Sequence, residues 1–276
     1  MLSPGNRFEG YVVDTALGHG GYAAVYRAHD GARPDRAVAL KVLDDHHRQP
    51  AQIAQLQREF DFARRLDHPH IVKVYQCGPG WLAMELVEGG TVAKLGGLAD
   101  RLTALAQIAD ALDYAHQRGV VHCDVKPSNI LVSLPFSVHG AVLIDFGVAH
   151  AVTEDHRHRP GHVEASLPYS APELLRGYAP SAATDEYALA CTAFELITGS
   201  TPFTATTSIG LVDEQLNSPP PRLSRKIEWL PHAFDSMMAK ALAKSPDNRY
   251  ETCSEFISLI TRALHRVTPR GRGEKR

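Results

Sequence analysis

His122-Cys123-Asp124-Val125-Lys126-Pro127-Ser128-Asn129 sets a carboxylate, a lysine and an asparagine in one short turn, and Ile144-Asp145-Phe146-Gly147 adds a second carboxylate after an apolar run. Such a set suits a group that accepts a hydroxyl proton, a cation facing phosphate charge, and two oxygen ligands for magnesium. Val120-Val121 leads into the turn and Ile130-Leu131-Val132 leads out of it. Ala141-Val142-Leu143-Ile144 reads as a strand pairing with that second run, which brings Asp145 back towards Asn129. Packing explains such strand ends poorly, because carboxylates are rarely buried unpaired. A plain turn-capping role is the weaker reading.

Upstream, Leu17-Gly18-His19-Gly20-Gly21-Tyr22-Ala23-Ala24-Val25-Tyr26 puts glycines where a backbone could approach phosphates. A Gly-rich hairpin turn is an equally good reading of that run alone. A strand follows it, not a helix, which separates it from P-loop and dinucleotide fingerprints. Val38-Ala39-Leu40-Lys41 ends an apolar strand in a cation. From Ala51 to Leu66 the pattern is helical, with Ile53, Leu56, Phe60 and Ala63 on one stripe and Glu59 beside it. An inward carboxylate demands a cationic partner, since an unpaired buried charge costs several kcal/mol, and Lys41 is the candidate. Arg58 and Asp61 fall on solvated faces.

The 276 residues suffice for one large domain or two lobes, and a hydrophobic fraction of 44% with 22% charged residues excludes wholesale disorder. A net charge of -2 gives no reason to expect nucleic acid or an anionic membrane as partner. Cys77, Cys123, Cys191 and Cys253 are scattered without a CxxC pair, which favours a reduced compartment over a disulfide or zinc scaffold. Neither end carries a signal peptide or span-length apolar run, and residues 266–276 read as a basic tail. Strand-like runs at Tyr11–Leu17, Ala24–Ala28, Ala37–Leu43, Ile71–Tyr75 and Trp81–Val87 precede Gly89-Gly90. Helical stretches then dominate: one ending near Gly119, and others at Ala182–Thr198, Ala233–Ala243 and Glu251–Leu264. Strands first and helices after imply two lobes with a cleft between them, an α+β arrangement.

Together these runs closely resemble protein kinases, and most of all bacterial serine/threonine kinases of the eukaryotic-like type. Asp124 to Asn129 is similar to the catalytic loop, and Asp145-Phe146-Gly147 to the metal-binding motif. Ala171-Pro172-Glu173, Asp185 in Asp185-Glu186-Tyr187-Ala188-Leu189, and Arg249 near the end extend the likeness over residues 8–265. The resemblance implies a bilobal kinase-like fold, with a β-rich lobe at about 8–87, a helical lobe at about 91–265, and the active site in the cleft. It implies ATP with magnesium, or manganese in its place, as cofactors.

By the same resemblance, Asp124 accepts or orients the substrate hydroxyl, Lys126 steadies the phosphoryl group, and Asn129 and Asp145 hold the metal. Lys41 and Glu59 position the phosphates. Leu17, Gly18, His19, Gly20, Gly21, Val25 and Ala39 line the nucleotide site, with Met84 at its back and Glu85, Leu86 and Val87 as the hinge. Ser166 takes the place of the substrate-loop threonine. Asp185 braces the catalytic turn, and Arg249 pairs with Glu173. Lysine in Asp-Val-Lys-Pro-Ser-Asn is the serine/threonine form, so the partners are proteins with Ser/Thr acceptors, in the cytoplasm or as the cytoplasmic part of a membrane-anchored kinase; a homodimer is compatible.

Two positions depart from the family pattern. Ala23 replaces the third glycine of the loop, which requires negative φ there. Cys123 replaces the arginine that in most members binds a phosphorylated activation loop, and a thiol cannot make that bidentate charged contact. Activation without loop phosphorylation follows as the expectation; a redox thiol is disfavoured by the adjacent carboxylate. Thr153 is the phosphosite candidate of the segment, and His150, His156, His158 and His162 lack distinctive metal spacing. The rival reading is an ATP-binding pseudokinase scaffold, against which the retained Asp124 counts. A small-molecule kinase is disfavoured by Ala171-Pro172-Glu173.

Overall fold

A computed structural model describes residues 1–147, 149–151 and 166–265. The chain forms two units, Met1–Gly90 with Leu131–Ala149, and Thr91–Ile130 with His150–Arg276. Strands dominate the first and helices the second, so the class is α+β.

In the first unit, β1 (Arg7–Phe8), β2 (Tyr11–His19), β3 (Ala23–Asp30), β4 (Arg33–Leu43), β5 (Val74–Gly78) and β6 (Trp81–Glu85) form one antiparallel sheet, ordered β1-β2-β3-β4-β6-β5. Strand alternation decides what β4 presents. Val38, Leu40 and Val42 join Tyr11, Val13, Tyr26 and Trp81 in one core. Ala39, Lys41 and Leu43 point the other way, where Leu43 packs with Ala23, Leu82 and Leu56 of α1 (Pro50–Ala63). Lys41 therefore reaches the face that α1 covers.

Several boundaries differ from expectation. The two-residue β1 adds a sixth strand. Helix α1 stops at Ala63, short of Leu66, and buries Phe62 where Phe60 was expected. The predicted strand at Ile71–Tyr75 shifts to β5, because Ile71 bridges to Leu143 and the Val72 N–H donates to the Leu143 carbonyl at 3.0 Å. Both residues are nearly inaccessible, so the apolar signal was real but belonged to a different partner strand. That partner, β9 (Ala141–Leu143), pairs with β8 (Ile130–Val132), and α3 (Phe136–His139) occupies the connector between them. Gly89 approaches β8 closely: its N–H donates to the Val132 carbonyl at 2.7 Å, and a Cβ there would lie 2.2 Å from that oxygen.

The second unit is built on α2 (Leu98–Gln117) and α5 (Ala182–Thr198), with β7 (Val120–Val121) pairing β10 (His150–Ala151). Short α4 (Pro172–Leu175), α6 (Ser208–Asn217), α7 (His232–Ala241) and α8 (Cys253–Leu264) complete it. Helix α5 is buried on nearly every side, which its apolar composition favours, and Gly199 in the left-handed region (φ 88°) ends it. Helix α8 starts two residues later than predicted, because the Thr252 hydroxyl accepts the Glu255 N–H at 3.0 Å and sets the N-cap. No helix among the described residues is long and apolar enough to cross a membrane.

One residue of α5 is out of keeping with its surroundings. Glu186 is 2% exposed, and neither carboxyl oxygen has a hydrogen-bond partner. Burial pushes its pKa up to about 8, against the opposing charges of Arg249 and Lys240 and the Tyr250 amide. The folded chain thus holds a proton that the unfolded chain releases near the usual carboxylate pKa, and stability declines as pH rises from there towards about 8. Glu186→Gln should remove this slope: the variant gains on wild type by on the order of a few kcal/mol between pH 5 and 8.5. Urea unfolding at several pH values would read it, and parallel slopes for the two proteins would refute it.

Candidate functional site

The first unit supplies a cation held between two carboxylates. Lys41 Nζ donates to Glu59 Oε2 at 2.8 Å and lies 3.5 Å from Asp145 Oδ1. Glu59 is 4% exposed, whereas Asp145 is half-open to solvent. Burial pushes the Lys41 ammonium down, but Asp145 and Glu59 together overcome it and keep the lysine firmly protonated. On Glu59, burial and Asp145 push upward and Lys41 pulls down, with a net upward direction. Asp145 sits in the left-handed region (φ 67°), and its Oδ1 accepts the Gly147 N–H at 3.3 Å. Phe146 is fully buried beside it.

The apolar part of the predicted nucleotide site gathers in the same unit. Ala39, Met84, Val72 and Val142 form one buried cluster, and Val25, Leu86, Val87 and Ile144 pack against it. Leu17, Gly18, His19 and Gly20 form an exposed strand end and hairpin, with Gly21 at its tip. The Gly20 N–H donates to the Ala23 carbonyl at 2.8 Å. Ala23 lies in β3 and is not among the positive-φ residues, so alanine serves there without backbone strain. His19 reaches Asp44 at 2.9 Å, a contact no motif announced. The Glu85 N–H goes to the Lys73 carbonyl at 2.8 Å, so this amide is already engaged within the sheet.

The second unit contributes a closed polar ring. Ser166 Oγ donates to Asp124 Oδ1 at 2.6 Å and accepts from Lys126 Nζ at 2.7 Å. Lys126 Nζ lies 2.8 Å from Asp124 Oδ2. Asn129 Nδ2 donates to both Asp124 Oδ2 and the Asp124 carbonyl at 2.8 Å. Those bonds fix the amide so that Oδ1 is its remaining acceptor, an oxygen ligand that suits a hard cation as the Asp145 carboxylate does.

Beneath the ring lies Asp185, wholly inaccessible. Its Oδ1 accepts the Cys123 N–H and its Oδ2 the His122 N–H, each at 2.7 Å, and His116 Nε2 meets Oδ2 at 2.7 Å. Burial would raise its pKa, but the hydrogen bond and charge of His116, with His122, hold it below the usual carboxylate value. Cys123 adopts φ 65°, and its thiol turns back to the Val121 carbonyl at 3.7 Å. Burial pushes that thiol well up, as do Asp185, Asp124 and Glu173, so it stays neutral. Arg249 makes a bidentate pair with Glu173 at 2.8 and 2.7 Å and also donates to the Ala183 and Ala243 carbonyls, while the Thr184 hydroxyl donates to Glu173.

Thus Asp124, Lys126, Asn129 and Ser166 come together in one unit, and Lys41, Glu59 and Asp145 in the other. Thr153, His156, His158, His162 and the basic tail at 266–276 lie outside the described residues. His116 is the site residue that sequence reasoning missed: it stands three residues after Asp113 on a helix, with nothing in the pattern to mark it as a partner of Asp185.

Residues 11–268 match the family model described as protein kinase domain. The serine/threonine-protein kinase PknJ of Mycobacterium tuberculosis is 39% identical over 96% of this chain, and PknF of the same organism 36% over 95%. The chain spans 47% and 58% of those relatives, about half their length. The crystal structure of the Mycobacterium tuberculosis PknI kinase domain superposes with a TM-score of 0.72 at 30% identity, covering 95% of this chain and 99% of that one.

The Arg249–Glu173 pair permits a direct stability test. Removing one partner strands a buried charge, so Arg249→Ala should lower the unfolding free energy by about 3–5 kcal/mol. The double replacement Arg249→Met with Glu173→Leu should cost less than the single one. Urea denaturation of the three variants decides; a loss below about 1 kcal/mol for Arg249→Ala would show the pair idle.

Proposed function

This chain belongs to the protein kinase family, and we propose that it transfers the γ-phosphoryl group of ATP to serine and threonine hydroxyls of proteins. The observation that carries the proposal is the ring of Asp124, Lys126 and Ser166, because it joins a proton acceptor to a cation through a third side chain that holds both. A binding scaffold has no need of that acceptor. An incoming hydroxyl gives its proton to Asp124 as its oxygen bonds the γ-phosphorus, and the bond from that phosphorus to the β–γ bridging oxygen breaks. Lys126 faces the charge spread over the moving phosphoryl oxygens. Ser166 keeps Asp124 and Lys126 in register and forms part of the substrate loop.

Lys41, fixed by Glu59, takes the α- and β-phosphates, under a glycine-rich hairpin running from Leu17 to Gly21. Val25, Ala39, Met84, Leu86 and Val87 receive the adenine, with hinge backbone groups at Glu85 to Val87 on its edge. Asn129 and Asp145 would hold magnesium, or manganese, which when bound neutralises phosphate charge. The mycobacterial relatives are named serine/threonine-protein kinases, which supports the acceptor class. We place the reaction in the cytoplasm, with the chain free or part of an anchored protein.

Purified chain with labelled ATP, magnesium and a generic protein acceptor should incorporate label, and Asp145→Asn should lose at least about a hundredfold of it. Transfer no greater than in that variant would leave a pseudokinase. We further propose that activity does not need phosphorylation of the activation segment. Cys123 offers a neutral thiol where a permanent cation would be required, while its N–H still anchors the turn to Asp185. Thr153→Ala should retain wild-type activity after phosphatase treatment; its loss would contradict this.

A further inference from the structure

Behind the catalytic turn, a second cluster of ligating side chains has no part in phosphoryl transfer. Asp113 and His116 are three residues apart on α2, which places them on one helix face. Cys253, the first residue of α8, meets them, and one carboxylate oxygen, one imidazole nitrogen and the thiol sulfur all lie within 4.8 Å of one another. We propose that Asp113, His116 and Cys253 form a binding site for a borderline-soft divalent transition metal of the zinc class, with water as the fourth ligand.

Three features of the surroundings point to a ligand site beyond the cluster itself. His116 is already oriented by a carboxylate: its Nε2 is 2.7 Å from Asp185 Oδ2, so Nε2 donates there and Nδ1 is the nitrogen left to bind an ion, releasing its proton where it carries one. Metal-bound histidines habitually use their second nitrogen in this way. Asp113 is fixed as well, since its two oxygens accept the N–H groups of Cys253 and Ser254 at 2.9 and 3.0 Å. The Cys253 thiol also hydrogen-bonds this carboxylate, and loss of its proton on binding leaves each carboxylate oxygen a lone pair for a cation. Cys253 is 1% exposed, whereas Asp113 and His116 are partly open, which gives an ion an entry side and the sulfur a dry one.

Tetrahedral zinc spaces its ligand atoms by about 3.3–3.8 Å, so small rotamer changes close the cluster around an ion. Nitrogen, oxygen and thiolate together select zinc-class ions over magnesium, which prefers oxygen alone. On binding, the Cys253 S–H bond breaks, its proton goes to buffer, and the sulfur lone pair bonds the metal. No oxidant or reductant is needed. An ion here would stiffen the α2–α8 junction and hold His116 against Asp185, the residue on which the catalytic turn rests.

Titration of the tag-free, chelator-stripped chain with cobalt(II) tests this, because a thiolate ligand gives a charge-transfer band that Asn129 and Asp145 cannot produce. The expected result is a band saturating at one ion per chain, abolished by zinc, with thermal unfolding moved upward by either metal. Cys253→Ser should lose the band and weaken zinc binding by about a hundredfold. If Cys253→Ser does not fold, the Cys77→Ser/Cys123→Ser chain decides, since its band must persist. No band in wild type, a band unchanged in Cys253→Ser, or a band lost in the Cys77→Ser/Cys123→Ser chain would overturn the site and leave Asp113 as a helix cap only.

Discussion

Asp185 is the constraint on which the turn from His122 to Asn129 depends. A carboxylate with no solvent access is tolerable only if its charge is fully answered, and here two backbone amides and one imidazole answer it. The two amides belong to consecutive residues, His122 and Cys123, so the carboxylate dictates the direction in which the chain enters Asp124. Cys123 accepts a left-handed φ as a result, a cost on the order of 1 kcal/mol that the three hydrogen bonds cover. Helix α5 can carry such a group because it is itself enclosed, anchored at its start near Glu173 and stopped at Gly199.

Buried charge is handled in two ways in this molecule. Arg249 and Glu173 form a fork-to-fork pair with further bonds to Thr184 and two carbonyls, so every strong group has a partner. Glu186, one position after Asp185, faces only the Tyr250 amide, which does not close a full hydrogen bond, and is kept neutral by burial. Adjacent carboxyls on one helix thus lie on opposite sides of their ordinary pKa. Solvent access cannot explain the difference, since both are buried. The number of N–H groups pointing at each one does.

Much of this was legible in the sequence where a residue type conflicted with its apparent environment. Glu59 beside an apolar stripe called for a cation, and Lys41 at a strand end was the available one. Asp124, Lys126 and Asn129 crowd a turn too tightly for ordinary loop chemistry. Helix α5 was bounded correctly because its apolar run is long and Gly199 closes it. Other features stayed hidden for definite reasons. Ile71 and Val72 are apolar whichever strand they meet, so composition could not tell β9 from the large sheet. His116 and Asp113 act through partners distant in sequence, Asp185 and the start of α8, and a single polar residue on a helix gives no sign of that.

The turn at Cys123 also bears on how such a domain can evolve. Its backbone is held by Asp185 through the N–H, independently of what the side chain is, and the left-handed φ is the same for any residue with a Cβ. Three carboxylates, Asp185, Asp124 and Glu173, act electrostatically on the thiol. An arginine arriving by mutation would find its counter-charges already in place and would ask nothing new of the main chain. On the proposal that activity needs no loop phosphorylation, that one position is where such a dependence would be introduced. A lineage can exchange the side chain at this position while the fold beneath it stays as it is.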